Sequence, residues 1–264
     1  MKLEIGIPCG INSEKYTEHL IKNIDQTISN RFDYRFILGI TNSKVKIGDL
    51  KKINSKKKIN IIKKNNFFFE KNGSIGHGLT LNLLYQNMKG NYGLIVDSDV
   101  AFLEYSWDKI FHNMLGNKNI IIGSEYDGKK YKNFPNAICC FFDLKKFQQI
   151  KIDWKPVTFM NKLKTYIVKD GEENFFGVKK NSIIFKDTGY KVFYNIKKSG
   201  FDGIALKLYR KNYDKKKFID TDGEEYQLNN KPILTHLGRS LTRDYENDIN
   251  AIKWRENIKI WLDK

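Results

Sequence analysis

The sequence is poor in the residues that mark several protein classes. Its 264 residues include only three cysteines, and two of these, Cys139 and Cys140, are adjacent. Neither a disulfide framework nor a zinc knuckle is expected from this spacing. No apolar run approaches the roughly 18 residues of a membrane-spanning helix, and the first residues lack the apolar stretch of a signal peptide. We therefore expect a reducing, cytoplasmic location.

Arginine is also scarce, although the chain is strongly basic. Lysine and arginine together number 47 against 30 acidic residues, a net charge of +17, yet only six of the 47 are arginine. Proteins that recognise nucleic acids depend on the bidentate guanidinium group of arginine, so we expect no nucleic-acid partner. The lysines predict solvated surfaces that attract anions, and peripheral contact with an anionic membrane surface stays open as an alternative.

The chain has enough apolar residues for one large core. Hydrophobic residues make up 41% and aromatic residues 14%, and the length is near the upper limit for a single domain. Apolar runs of strand length alternate with segments of helical periodicity through the first 124 residues. The strand-like runs are 3–9, 34–42, 59–63, 92–99 and 119–124. This alternation predicts an α/β fold with a mainly parallel sheet flanked by helices.

The second half of the chain, residues 101–264, is less regular and predicts an irregular region that completes a cleft. Two helix starts can be placed from the sequence. A helix is expected to open at Gly76 or Gly78, and a final helix is expected to start at Thr242 and to direct Tyr245, Ile249 and Ile252 toward the core.

The segment Asp97-Ser98-Asp99 directly follows the apolar strand residues Leu94, Ile95 and Val96. Side chains at positions i and i+2 of an extended segment point the same way, and ligands bind at the carboxyl ends of strands in open parallel sheets. Two converging carboxylates there favour a hard divalent cation, Mg²⁺ or Mn²⁺, that phosphate oxygens also hold. The structural alternative is an Asp-Ser-Asp turn that caps the next segment.

The run NGSIGHGLTLNLLYQNMKGNYGLIVDSDVAFL resembles the central block of nucleotide-sugar glycosyltransferases of the GT-A fold, especially family 2-like enzymes. Asn82, Gly90, Tyr92, Asp97 and Asp99 occupy the block's characteristic positions. The resemblance implies a Rossmann-like GT-A fold in a single domain. Residues 1–100 would form the half that binds the nucleotide sugar, and residues 101–264 the half on the acceptor side.

The resemblance also implies a set of residues for the nucleotide-sugar donor, expected to be linked to UDP. Asn42 differs from the family's usual pattern, and His77 is expected for a separate reason. Asn42 stands where family members usually carry an acidic residue for the base, and His77 is expected near a helix N-terminus that faces the diphosphate. The expected donor-binding residues are Pro8, Asn42, Gly76, His77, Gly78, Asn82, Asp97 and Ser98.

A distal histidine, His236 in LTHLGRS, resembles the third metal ligand that many GT-A enzymes draw from their C-terminal part. The expected metal ligands are therefore Asp97, Asp99 and His236. Because imidazole suits Mn²⁺ better than Mg²⁺, manganese is the preferred cofactor, with Mg²⁺ as the alternative.

The acidic segment Asp170-Gly171-Glu172-Glu173 resembles the family's catalytic motif. Inverting sugar transfer needs a base that takes the proton of the acceptor hydroxyl. Glu173 is the first choice for this base, followed by Glu172 and Asp170. If these carboxylates instead bind sugar hydroxyls, transfer with retention stays open. The acceptor is expected to be a hydroxyl of a glycan, a lipid-linked glycan or a protein.

Two other functions stay open at the level of sequence. A sugar nucleotidyltransferase shares the sheet and the metal chemistry, although the loop PCGINSEKY lacks the Gly-rich basic pattern usual after the first strand of those enzymes. A basic module that binds polyanions without catalysis is the second alternative, and it predicts salt-dependent binding with no metal requirement.

Overall fold

The structure is a computed structural model of the chain. It describes residues 1–64, 73–125, 135–156, 158–159, 162–163, 165–167, 183–185, 188–210, 223–238 and 243–264. Within these residues, no helix is both long enough and apolar enough to cross a membrane.

Strands and helices alternate along the first 124 residues, as the sequence predicts. The strands are β1 (Lys2–Pro8), β2 (Asp33–Ile40), β3 (Ile59–Lys63), β4 (Tyr92–Val96), β5 (Val100–Phe102), β6 (Asn119–Ser124), β7 (Asn136–Asp143), β8 (Thr158–Phe159), β9 (Lys162–Leu163), β10 (Thr165–Ile167), β11 (Ile183–Phe185), β12 (Asp202–Arg210), β13 (Glu224–Leu228) and β14 (Lys231–His236). The helices are α1 (Glu14–Thr27), α2 (Ile47–Leu50), α3 (Gly73–Asn87), α4 (Trp107–Met114), α5 (Leu144–Phe147), α6 (Val192–Lys198) and α7 (Ile249–Leu262).

One large sheet organises the fold, with the strand order β3-β2-β1-β4-β7-β6-β12-β13-β14-β5. The first four strands in this order pair in parallel, as does β6 with β12. Strand β7 runs antiparallel to both β4 and β6, and β12, β13, β14 and β5 form an antiparallel series. The α/β fold with flanking helices is confirmed, with the expected parallel pairing from β3 to β4, whereas five of the nine pairings in the described sheet are antiparallel.

The short connection between β4 and β5 makes the sheet curl. These strands are the fourth and the tenth in the sheet order, which in a flat sheet would separate them by roughly 29 Å at a strand spacing of about 4.8 Å. Residues 97–99, which join them, span at most about 14 Å from Val96 to Val100. The antiparallel series must therefore fold back, so that β5 and its neighbour β14 lie close to the carboxyl end of β4.

Helices cover both faces of the sheet and build two main apolar layers. On one face, Leu20, Ile21 and Ile24 of α1 pack with strand residues and with Trp107 of α4. On the other face, Leu81 and Leu84 of α3 pack with α5 and α6. Strands whose two faces are both covered must be apolar throughout, which explains the uninterrupted apolar runs in β4, β6 and β7.

The final helix begins later than the sequence predicts. Helix α7 starts at Ile249 rather than at Thr242, which lies outside the described residues. The side chain of Asp248 accepts hydrogen bonds from the backbone N–H groups of Asn250 and Ala251, and an aspartate in this position is a strong helix N-cap. Ile249 is consequently 63% exposed, and the buried face of the helix is formed instead by Ala251, Trp254, Ile258 and Leu262.

The three cysteines are free thiols inside the core. Burial, which disfavours the thiolate, raises the pKa of Cys9 to about 12 and raises the pKa of Cys139 and of Cys140 above the ordinary thiol value. A thiol that stays protonated at neutral pH is a poor nucleophile. We therefore assign these cysteines to the packing of the core and not to a role as nucleophiles.

The packing of the sheet can be tested at Gly93, the second residue of β4. A Cβ atom added there would lie 2.6 Å from Cζ of Phe142, whose buried ring stacks on Phe147 with ring centroids 4.4 Å apart. Because this ring has no free space to move into, we expect Gly93→Ala to lower the free energy of unfolding by about 1–3 kcal/mol, measured by chemical denaturation.

The matched control is Gly48→Ala in α2, where an added Cβ meets no atom within 4 Å. We expect this control to leave the free energy of unfolding unchanged or to raise it by up to about 1 kcal/mol, because alanine is favoured over glycine in a helix. Equal stability of the two variants would contradict the tight packing of β4 against β7.

Candidate active site

The acidic segment predicted to bind a cation forms the turn between β4 and β5. The backbone N–H of Asp97 donates to the carbonyl of Ile138 at 2.9 Å, and the N–H of Leu237 donates to the carbonyl of Asp99 at 3.0 Å. These bonds attach the turn to β7 on one side and to the end of β14 on the other. The side chain of Asp97 is 21% exposed, whereas Ser98 and Asp99 are buried. The turn is therefore held in place from both sides, with one of its two carboxylates partly exposed.

His236, the last residue of β14, reaches the same turn. It pairs with Val100 in the ladder between β14 and β5, and its Nε2 lies 3.4 Å from Oδ1 of Asp99. One ligand atom from each of Asp97, Asp99 and His236 lies within 4.8 Å of the other two. The structure thus brings together the three residues expected as metal ligands, although His236 is far from the two aspartates in the sequence.

This donor set fits a divalent cation. Two carboxylate oxygens and one imidazole nitrogen match the ligand preferences of Mn²⁺, and a cation with three protein ligands keeps further positions for phosphate oxygens or water. Two acidic groups this close repel each other when both are ionised, and a bound cation relieves that repulsion. The residues present therefore fit the metal that the resemblance implies.

The charge of His236 depends on its two carboxylate neighbours. Burial of the ring opposes protonation, but Asp99 and Glu224 outweigh it and raise the pKa of His236 well above the ordinary histidine value. In the metal-free protein, this interaction adds stability below the ordinary pKa and loses it as the pH rises through the raised pKa. A cation at Nε2 must displace the proton, so cation binding strengthens as the pH rises.

His77 approaches the site from the opposite direction, on helix α3. Its Nε2 lies 3.1 Å from Oδ1 of Asp97, and its side chain is 30% exposed. The sequence predicts a helix that opens at Gly76 or Gly78, but α3 already includes Gly73, so His77 lies inside the helix and not at its N-terminus. In the structure, His77 contacts Asp97.

Two glycines of α3 let the helix lie close to its neighbours. The carbonyl of Gly76 accepts hydrogen bonds from the hydroxyls of Thr41, at 3.2 Å, and Thr80, at 2.8 Å. A Cβ atom added to Gly78 would lie 2.8 Å from both the Cα of Lys155 and the carbonyl oxygen of Trp154. Close packing of this kind, rather than a helix start, accounts for Gly78.

Asn82 also contacts this neighbouring segment. Its amide nitrogen donates to Oδ1 of Asp153 at 2.8 Å, and its amide oxygen accepts from the N–H of Trp154 at 3.0 Å. Both ends of the amide are therefore engaged in holding residues 153–154 against α3.

The remaining expected donor-binding residues lie at the carboxyl ends of neighbouring strands. Pro8 is the buried last residue of β1, opposite Gly39 of β2. Asn42 follows β2, and its side-chain oxygen accepts the N–H of Lys44 at 2.9 Å. Because β1 lies between β2 and β4, Pro8, Asn42 and Asp97 lie at the carboxyl ends of three adjacent parallel strands. The expected catalytic carboxylates Asp170, Glu172 and Glu173 lie outside the described residues.

Glu224 is a site residue that sequence reasoning missed. It is the first residue of β13, it pairs with His236 across the β13–β14 ladder, and its Oε2 lies 3.1 Å from Nδ1 of His236. The turn Asn229-Asn230, with positive φ at both residues, is a sequence signal for a hairpin. That signal alone places Glu224 one residue out of register, because the ladder contains a bulge near Gln227.

Comparison with known proteins gives distant structural similarity and no sequence match. No family model and no curated protein matches the chain. A structure of the galactosyltransferase LgtC with donor and acceptor sugar analogues aligns with 19% identity and a TM-score of 0.44, over 55% of this chain and 59% of LgtC.

Two further glycosyltransferase structures align at a similar level. The mannosyltransferase PcManGT from Pyrobaculum calidifontis, in complex with GDP-Man and Mn²⁺, gives 9% identity and a TM-score of 0.42 over 56% of this chain and 46% of PcManGT. S. aureus TarS 1–349 in complex with UDP-GlcNAc gives 13% identity and a TM-score of 0.41, over 56% of this chain and 47% of the TarS chain. The chain therefore spans about half the length of these proteins, and the residues of the site itself remain the basis for its function.

We expect the three clustered side chains to bind a divalent cation. Asp99→Asn removes one of two carboxylates, and ligand charge controls cation affinity, so binding of Mn²⁺ should weaken about tenfold or more. Binding is measured by isothermal titration or by the electron paramagnetic resonance signal of free Mn²⁺. The control Asp33→Asn makes the same change at an exposed carboxylate, and a Kd equally altered in both variants would contradict the assignment.

Proposed function

We propose that the chain is a metal-dependent glycosyltransferase that moves one sugar from a nucleoside-diphosphate donor to an acceptor hydroxyl. The observation that supports it most is the cluster of Asp97, Asp99 and His236 at the carboxyl edge of the sheet, within 4.8 Å of one another. Ligands of open α/β sheets bind at this edge. The resemblance of residues 72–103 to the central block of GT-A glycosyltransferases supports the same function.

The cation would be Mn²⁺, held by the three clustered ligands. Bound there, it supplies Lewis-acid stabilisation of the charge on the departing nucleoside diphosphate. The carboxylate of Asp99 is buried, whereas the side chains of Asp97 and His236 are 21% and 15% exposed. An anionic substrate would therefore meet the cation on the side of these two partly exposed ligands.

The nucleotide would bind along the ends of β1 and β2. Pro8 and Asn42 are at this edge, and Asn42 offers an amide in place of the acidic residue usual at its position, with UDP as the proposed donor nucleotide. His77 beside Asp97 would contact the diphosphate or the sugar. For Asn82, the bonds to residues 153–154 favour an indirect role, in which it holds the segment that borders α3.

The acceptor would approach from the side formed by the second half of the chain. We propose Glu173, with Glu172 and Asp170 as alternatives, as the base that takes the proton of the attacking hydroxyl, which leads to inversion at the anomeric carbon. The acceptor class is a glycan, a lipid-linked glycan or a protein. The net charge of +17 favours attraction of an anionic donor and of an anionic membrane surface.

Nucleotide recognition can be tested with a thermal-shift panel of nucleoside diphosphates and nucleotide sugars, each with and without Mn²⁺. Because a cation held by Asp97, Asp99 and His236 would neutralise charge on the diphosphate, we expect a rise in the unfolding temperature with one nucleotide, uridine diphosphate first, and only in the presence of Mn²⁺. Equal shifts with all nucleotides, or none with any of them, would contradict a specific donor site.

Transfer itself can be tested with the double variant Asp97→Asn/Asp99→Asn. We expect donor hydrolysis and transfer to fall by about 100-fold or more, since the lost charge stabilisation is usually the largest catalytic contribution, and excess EDTA should have the same effect on the wild-type protein. The control Asp33→Asn/Asp49→Asn makes the same charge change at exposed sites. Full activity in EDTA would overturn the proposal, as would release of diphosphate from a nucleoside triphosphate and a sugar 1-phosphate.

A further inference from the structure

A histidine that binds a cation can offer only one ring nitrogen to it, and the partner of the other nitrogen determines which one. In neutral imidazole, one nitrogen carries the proton and the other carries the lone pair. Nε2 of His236 faces Asp99 at 3.4 Å, and Nδ1 faces Oε2 of Glu224 at 3.1 Å. The two carboxylates thus lie on opposite sides of the ring.

We infer that Glu224 is a positioning residue for the cation site: it accepts the Nδ1 proton of His236 and so keeps the lone pair of Nε2 directed toward Asp97 and Asp99. The inference rests on the proposed metal-dependent function. Carboxylates that hold a metal-ligating histidine from its far side are a general way of fixing ring orientation and of making the ligand nitrogen more basic.

Glu224 is itself held in this position by the fold. The hydroxyl of Tyr226 donates to Oε2 of Glu224 at 3.0 Å, and the hydroxyl of Thr235 donates to the backbone carbonyl of Glu224 at 3.0 Å. The indole N–H of Trp254 in turn donates to the hydroxyl of Thr235 at 3.2 Å. Helix α7 therefore helps to hold Thr235 and Glu224 in place, and Glu224 in turn contacts His236.

The strand register makes this contact specific. The β13–β14 ladder has a one-residue bulge between Tyr226 and Gln227, beyond which Glu224 lies directly opposite His236. Without the bulge, Glu224 would lie opposite Thr235, and the side chains of Glu224 and His236 would point to opposite faces of the sheet. A bulge beside a site often re-aims a side chain in this way.

The test compares the Mn²⁺ affinity of the full chain in the variants Glu224→Ala and Glu224→Gln, at one pH and without any donor. We expect Glu224→Ala to weaken Mn²⁺ binding by about 10- to 100-fold. Glu224→Gln keeps an oxygen that accepts the Nδ1 proton, so it should recover most of that loss. The control Glu256→Ala removes an exposed carboxylate from α7 and should leave the affinity unchanged.

The unfolding temperature of each variant without metal shows that the variant is folded. Wild-type affinity in Glu224→Ala would overturn the positioning role, and so would equal loss in the Ala and Gln variants, because the latter would mean that charge alone acts. Absence of Mn²⁺ binding by the wild-type protein would instead contradict the proposed metal-dependent function. The two failures are therefore distinguishable.

Discussion

The arrangement of the site depends on a short connection. Three residues, 97–99, join β4, the last of four parallel strands, to the far end of an antiparallel series. Because so short a segment cannot cross a flat sheet of this width, the sheet must curl until β14 lies beside the end of β4. The same three residues carry the two carboxylates. The constraint that shapes the sheet therefore also brings His236, from the other end of the chain, to Asp97 and Asp99.

The site concentrates negative charge in a basic protein. Asp97, Asp99 and Glu224 surround one imidazole ring, while the chain as a whole carries a net charge of +17. Carboxylates this close, of which Asp99 is buried and the other two are partly exposed, are costly unless protons, hydrogen-bond donors or a cation balance them. His236, whose pKa they raise, balances them in part, and a divalent cation would complete the balance. The net positive charge of the chain would then favour an anionic substrate such as a nucleotide.

Much of the first half of the fold could be predicted from the sequence, because its signals are local. Uninterrupted apolar runs mark covered strands, and a pair of acids after such a run marks the carboxyl edge. The helix boundaries were harder to predict. Asp248, which caps α7 through two hydrogen bonds, competes with several other polar residues in the same segment. Gly78 of α3 allows Trp154 and Lys155 to pack closely against the helix, although the glycines of this segment look in the sequence like a helix start.

The part of the site that could not be predicted depends on long-range register. His236 was expected from its resemblance to a family ligand, but its distance from Asp99 follows from the curl of the sheet. Glu224 was missed because an Asn-Asn hairpin turn alone gives a register one residue away from the observed one, and only the bulge in β13–β14 corrects it. Such bulges depend on pairing and packing between strands, which no local sequence pattern records.

The most direct test of the cation site is a crystal structure of the chain with MnCl₂ and a nucleoside diphosphate, measured at the manganese absorption edge. The account predicts one anomalous difference peak bonded to Asp97, Asp99 and Nε2 of His236, with the diphosphate completing its coordination. A bound nucleotide without a manganese peak between these three side chains, or a peak held by other residues, would contradict it.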